Sequence, residues 1–214
     1  KLIPDTPLVH AMHPSPNFGE RKNGLEPYIL VLHYTGLPTV ERSIAVLSDP
    51  RGQVSCHYVI DADGRITQMV CEAMRAWHAG VSWWEGESDI NSASVGIEIH
   101  NPGHSCGYPD FGAAQMRSVR DLCLDIMKRH TIAPRHVLAH SDIAPSRKMD
   151  PGEKFDWCWL ARAGVGHWVA PEPVREDADA LCLGAQGKRV REMQQRLAAY
   201  GYLCPPTAEF DRAT

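Results

Sequence analysis

Tyr28-Ile29-Leu30-Val31-Leu32-His33-Tyr34 is the stretch on which the fold turns. Its centre is four aliphatic residues in a row, flanked by aromatic side chains. Such a compact run, rich in residues that suit extended backbone, reads as a buried strand. It ends in His33, so polar chemistry stands where the strand stops.

Further elements follow on the C-terminal side. Thr39 is placed to cap a short helix, with Glu41 in its first turn and Ile44, Ala45 and Leu47 on one face. Cys56–Ile60 and Arg65–Val70 read as two short strands. The turn between them, Asp61-Ala62-Asp63-Gly64, ends in a glycine that supplies positive φ. Ser94–His100 is another strand, whose pleat puts Val95, Ile97 and Ile99 on one face and Gly96, Glu98 and His100 on the other. Residues 113–130 carry Met116, Val119, Cys123, Ile126, Met127 and His130 at helical spacing. Val137–Ala139 is a short strand leading into His140. Strands interleaved with helices predict an α/β domain with a central mixed β-sheet flanked by helices.

The ends of the chain differ from this middle. Pro14, Pro16, Gly19 and Gly24 interrupt any period in residues 1–26. The main domain is expected to span 1–169. Residues 170–180 are proline-rich and acidic, which is linker composition. In 181–214, Val190, Met193, Leu197 and Tyr200 form one apolar helix face, with Gly201 as its stop. So small a helical segment falls below the ~40 residues at which isolated domains need extra support. It must either dock on the main domain or be followed by more chain past Thr214, and continuation is the favoured expectation.

Composition narrows the function. Of 214 residues, 43% are hydrophobic and 22% charged, which excludes a disordered chain. A net charge of −4 gives no broad attraction for nucleic acid, so no nucleic-acid partner is expected. The longest apolar run, Ile29–Leu32, is far too short for a transmembrane segment. The 7 cysteines include no CxxC and cannot all pair in one chain, so they are expected to be free and mostly buried thiols. That leans towards a reducing compartment. With 11 His and 6 Trp, the chain has more of both than a scaffold needs.

His33 and His140 both stand at strand ends, and Asp150 follows in Arg147-Lys148-Met149-Asp150-Pro151. Strand ends and the loops after them are where α/β folds place functional groups. Two imidazoles and a carboxylate are a sound zinc set with a fourth position for water, whose pKa the metal brings to near 7. With so many histidines, spacing alone does not single out this triplet.

Five blocks do. They are Ile29–Thr35, Ser55-Cys56-His57-Tyr58, Ala76-Trp77-His78-Ala79-Gly80, Ser94–Glu98 and Ala139–Gly152, in this order. Together they resemble the zinc-dependent N-acetylmuramoyl-L-alanine amidases of the type-2 amidase family, kin to peptidoglycan-recognition proteins and T7-type lysozymes. The resemblance covers roughly residues 14–169. Within the family it is nearest the AmpD/AmiD branch, since Asp150 stands where the T7-type branch has Cys. The implied fold is the peptidoglycan-recognition/T7-lysozyme-like α/β fold. The implied activity is hydrolysis of the amide between N-acetylmuramic acid and L-alanine, in peptidoglycan or muropeptides, by a monomer carrying Zn2+.

The resemblance also implies roles. His33, His140 and Asp150 match the zinc ligands. Glu98 matches an acidic group beside the metal, and its pleat position, away from the apolar face, agrees with a general base. Lys148 matches a basic residue able to steady an oxyanion. Trp77, His78 and Asn101 are candidates for substrate contact, with His104 behind them. His57 reads as structural or as a partner that orients a ligand. Trp83 and Trp84 are either a saccharide platform, if exposed, or scaffold, if buried. His100 has no assigned role. The tail, from Gly187 to Thr214, resembles the first part of a small helical peptidoglycan-binding module. A non-catalytic recognition module is the alternative; it would lack a ligand, and all three positions are filled. The tail suggests the cell envelope or periplasm, whereas the thiols suggest the cytoplasm.

Overall fold

The structure is a computed structural model that describes residues 3–173, 180–212 and 214. Its strands, in chain order, are β1 (Ala11–Met12), β2 (Phe18–Glu20), β3 (Ile29–Tyr34), β4 (Tyr58–Ile60), β5 (Ile66–Gln68), β6 (Met74–Ala76), β7 (Ser94–Ile99) and β8 (Val137–Ala139). The helices are α1 (Val40–Leu47), α2 (Ile90–Ala93), α3 (Ala113–His130), α4 (His140–Ile143), α5 (Trp157–Arg162) and α6 (Lys188–Tyr200). Six strands form one sheet in the order β1-β5-β4-β7-β3-β8; β2 and β6 pair separately. β4 and β5 are antiparallel and the other pairs of the large sheet are parallel, so the sheet is mixed as expected.

The strand that opens the reading is central and covered on both faces. Leu30 and Leu32 join Val95, Ile97 and Ile99 of β7 beneath Val119, Leu122, Cys123 and Ile126 of α3. Ile29 and Val31 face the other way, onto Trp84, Ile90, Leu138 and Ile143. Each such buried aliphatic side chain contributes about 1.5–3 kcal/mol of transfer free energy. This packing leaves β3 and β7 little freedom to shift, and both carry site residues. His130 is the exception on α3. It lies at the helix end and bonds Glu72 Oε2 at 2.6 Å instead of entering the core.

Local signals act where the sequence places them. Thr39 Oγ1 accepts from Arg42 N at 3.2 Å and starts α1. Gly64, at φ 86°, closes the β4–β5 turn with its N–H donating to Asp61 O. None of the seven cysteines is in a disulfide, but only Cys56, Cys123 and Cys204 are buried, fewer than expected. Cys106, at the end of a short 3-10 turn, and Cys182 are exposed.

The tail helix forms as expected and ends at Gly201 (φ 139°). It docks on the main domain: Tyr200 and Tyr202 meet Trp84 edge-on, and Glu85 N donates to Gly201 O at 2.9 Å. Of the expected linker, residues 174–179 lie outside the described part. Among the described residues, no helix is long and apolar enough to cross a membrane.

Candidate metal centre and active site

β3, β7 and β8 run parallel and deliver their C-terminal ends to one edge of the sheet. His33 is in register with Glu98 across the β3–β7 pair, so both side chains rise from the same face. His140 follows the last residue of β8 and opens α4. Asp150 comes in on the loop beyond. His33 Nδ1 and His140 Nδ1 are 2.8 Å apart, and Asp150 Oδ2 lies 3.2 Å from the first and 3.0 Å from the second. All three residues are buried.

The outer nitrogens decide what those inner atoms are. His140 Nε2 lies 3.1 Å from Ala79 O, which can only accept, so the proton sits on Nε2. His33 Nε2 lies 3.0 Å from His78 Nδ1, His78 Nε2 lies 3.2 Å from Ser94 Oγ, and Ser94 donates its hydroxyl to Ile90 O at 2.5 Å. Ser94 has one proton and spends it on Ile90, so His78 donates to Ser94 and His33 donates to His78. Burial, with His140 beside it, lowers His33 to about 4, and burial drives His78 well below its usual range; both are neutral.

With the outer nitrogens engaged in this way, the inner nitrogens of both imidazoles and a carboxylate oxygen converge on one point. Three acceptors at this spacing repel one another unless a cation sits among them. A tetrahedral ion with bonds of about 2.0–2.2 Å spaces its ligands about 3.4 Å apart, a little wider than seen here. The donor set, His-His-Asp with both outer imidazole nitrogens engaged, fits a zinc ion.

His140 and Asp150 line a cleft of about 390 Å³, together with Tyr34, Ser55, His78, Glu98 and Lys148, and His33 lies directly against both of them. Glu98 is half-buried, and its Oε2 is shielded from solvent with no hydrogen-bond partner. Burial, reinforced by Asp150 and opposed by Lys148, raises its pKa well above the usual carboxylate range. A buried oxygen that lacks a partner among the described residues and lies beside a cleft is poised to bind something that enters it. Lys148 lies two residues before Asp150 on the loop after α4, and its N–H donates to Ala144 O at 3.0 Å. Lys148, Met149 and Asp150 all border the cleft, with Met149 57% exposed and Asp150 buried.

The other sequence candidates are distributed differently. His78 lines the cleft but is engaged as the partner of His33. Trp77 is half-buried beside β6; its backbone brackets Ser55, and its ring does not line this cleft. Asn101 is buried and does not line this cleft; its amide donates to Pro109 O and accepts from Gly103 N, which shapes the loop after β7. His104 bonds Tyr34 and Glu153. His100 Nδ1 lies 3.3 Å from Thr35 Oγ1. His57 is structural: burial lowers it to about 3, and it accepts from Gly96 N. Trp83 is half-buried, and Trp84, at 1% exposed, is scaffold.

Three supporting features escaped the sequence reading. A Cβ on Gly96 would lie 2.5 Å from His78 Cγ, so only glycine lets the imidazole lie over β7. Asn91 Oδ1 accepts from His78 N and Ala79 N, and Arg147 donates to Ala79 O at 2.7 Å. The peptide that orients His140 is thus held from two sides. Only the positions of Gly96 and Arg147 inside the five blocks hinted at this.

Residues 23–153 match the sequence profile described as N-acetylmuramoyl-L-alanine amidase. The chain is 43% identical over 196 residues to N-acetylmuramoyl-L-alanine amidase AmiD of Escherichia coli (strain K12), covering 83% of this chain and 67% of the relative. It is 36% identical over 161 residues to 1,6-anhydro-N-acetylmuramyl-L-alanine amidase AmpD of Haemophilus influenzae, covering 67% of this chain and 85% of that protein. A solved structure of Escherichia coli AmiD in complex with the substrate anhydro-N-acetylmuramic acid-L-Ala-D-gamma-Glu-L-Lys superposes with a TM-score of 0.70 at 34% identity, covering 89% of this chain and 82% of that one. With the profile spanning more than half its length, the chain belongs to the N-acetylmuramoyl-L-alanine amidase family.

Proposed function

We propose that this chain cleaves the amide between the lactyl group of N-acetylmuramic acid and L-alanine of the stem peptide. The observation that carries the proposal is the set of three converging acceptors, His33, His140 and Asp150, opening beside Glu98 and Lys148 in one cleft. We propose Zn2+ as the ion held there; when bound, it supplies Lewis acidity toward a carbonyl and makes water more acidic. Glu98 takes the proton of the attacking water at its unpartnered Oε2 and returns it to the nitrogen of the departing L-alanine. The Lys148 ammonium faces the negative charge that builds on the lactyl oxygen. Tyr34 and Ser55 bound the cleft, with the Tyr34 hydroxyl on His104 and the Ser55 hydroxyl donated to Asn17 O. A recognition module without catalysis needs neither an unpartnered carboxylate nor a complete ligand set.

The test is a mass-spectrometric assay of the purified protein on anhydro-muropeptides, intact sacculi and the free stem peptide. The expected result is release of stem peptide from at least one sugar-bearing substrate and no cleavage of the free peptide. Cleavage of sacculi places its work in the cell envelope, and cleavage of soluble fragments alone places it in recycling of released wall. Binding without turnover would support the recognition module instead.

A further inference from the structure

α4 is a four-residue turn, too short to hold its own shape. Its first residue is the proposed ligand His140. Neighbours fix it at three points. Ala139 N donates to Asp142 Oδ2 at 2.8 Å and closes the turn at its start. Trp83 N donates to Ile143 O at 2.9 Å and holds its end. Ser141 N donates to Asp150 O at 3.1 Å, so the same turn also locates the third proposed ligand.

The other oxygen of Asp142 is held from far along the chain. Tyr202, in the tail beyond α6, donates its hydroxyl to Asp142 Oδ1 at 2.8 Å. Its own placement is firm. The ring meets Trp84 edge-on at 5.1 Å between centroids. A Cβ on the preceding Gly201 would lie 2.7 Å from Trp84 Cε2, so the tail backbone approaches as closely as only glycine allows. Trp84 follows Trp83, whose N–H anchors Ile143, so the tail bears on α4 by two routes.

We propose that Tyr202 is a positioning residue of the metal centre: by holding Asp142, it fixes the turn that presents His140 and, through Ser141, Asp150. This rests on the reading of His33, His140 and Asp150 as metal ligands. Without the hydroxyl, Asp142 loses one of its two anchors, can turn away from Ala139 N, and both ligands gain freedom. The tail is then part of the working catalytic unit and not only an attachment to it.

The experiment titrates metal-free full-length protein with Zn2+ against a chelating indicator. Tyr202→Phe keeps the ring stack and removes only the hydroxyl. Groups bonded directly to a metal ligand are worth about 10–100-fold in affinity. Tyr202 acts at one remove, so the Kd for Zn2+ is expected to rise about 3–10-fold, below or at the low end of that range. With Co2+ in place of Zn2+, the visible absorption band is expected to move as well. Tyr200→Phe is the control. Its hydroxyl bonds His167 Nδ1 at 2.7 Å, in the same aromatic stack but away from α4, and its loss is expected to change neither readout. In an Asp142→Ala background, which leaves the Tyr202 hydroxyl no partner on α4, Tyr202→Phe is expected to add no further loss. A wild-type Kd in Tyr202→Phe, or an equal rise in Tyr200→Phe, would overturn the inference while leaving the ligand set intact. If the wild type itself binds no Zn2+, the ligand reading fails and the inference falls with it.

Discussion

Glu98→Gln is expected to keep its metal and lose about 10²–10⁴-fold in kcat, the usual worth of a positioned acid–base group. Three observations converge on this carboxylate. It stands in register with His33 on the same face of the sheet. Its Oε2 has no partner among the described residues. Its burial keeps the proton affinity of the carboxyl high, which suits a group that must take a proton and give it back. Glutamine matches the shape but cannot accept and release that proton. Steady-state kinetics together with metal analysis distinguish the outcomes. Unchanged kcat would reduce Glu98 to scaffold, and a loss of bound metal would make it part of the metal site.

Lys148→Ala is expected to lower kcat about 10²-fold or more, with metal retained and KM little changed. A donor placed at a developing oxyanion acts on the transition state more than on the bound substrate, and losing one costs on the order of 3 kcal/mol. Lys148 shares the cleft wall with Asp150 and Glu98, which is where such charge would appear. Lys148→Arg is expected to recover only part of the rate, because a planar guanidinium does not put its charge where an ammonium does. A several-fold rise in KM at constant kcat would show that Lys148 only binds a substrate carboxylate.

Much of this site is legible along the chain because it sits on regular structure. Two signals survive in one dimension. An unbroken apolar run marks β3, and a strict two-residue period marks β7. The pleat alone put Glu98 on the polar face, and the register of β3 with β7 then carried it to His33. What stayed hidden depends on contacts between distant segments. His78 was expected at substrate, but it is separated by 45 residues from the imidazole it orients. Ala79 acts through a backbone carbonyl, which no side-chain pattern reveals. Asn101 has the chemistry to bind substrate, yet it is buried away from the cleft and bonded to Pro109 O and Gly103 N. Trp84 stands on a loop with no period, and it is buried between β3, α2 and α4 on one side and a tail more than 100 residues further on.

The ligand set is the claim on which the rest depends, and metal content measures it most directly. Purified wild-type protein and His140→Ala, each dialysed against buffer containing trace Zn2+, are to be compared by elemental analysis. The expected result is close to one zinc per wild-type chain and its near-complete loss in His140→Ala, since removing one of three ligands leaves two converging groups too few to hold the ion. Equal zinc in both proteins would contradict the assignment of His33, His140 and Asp150.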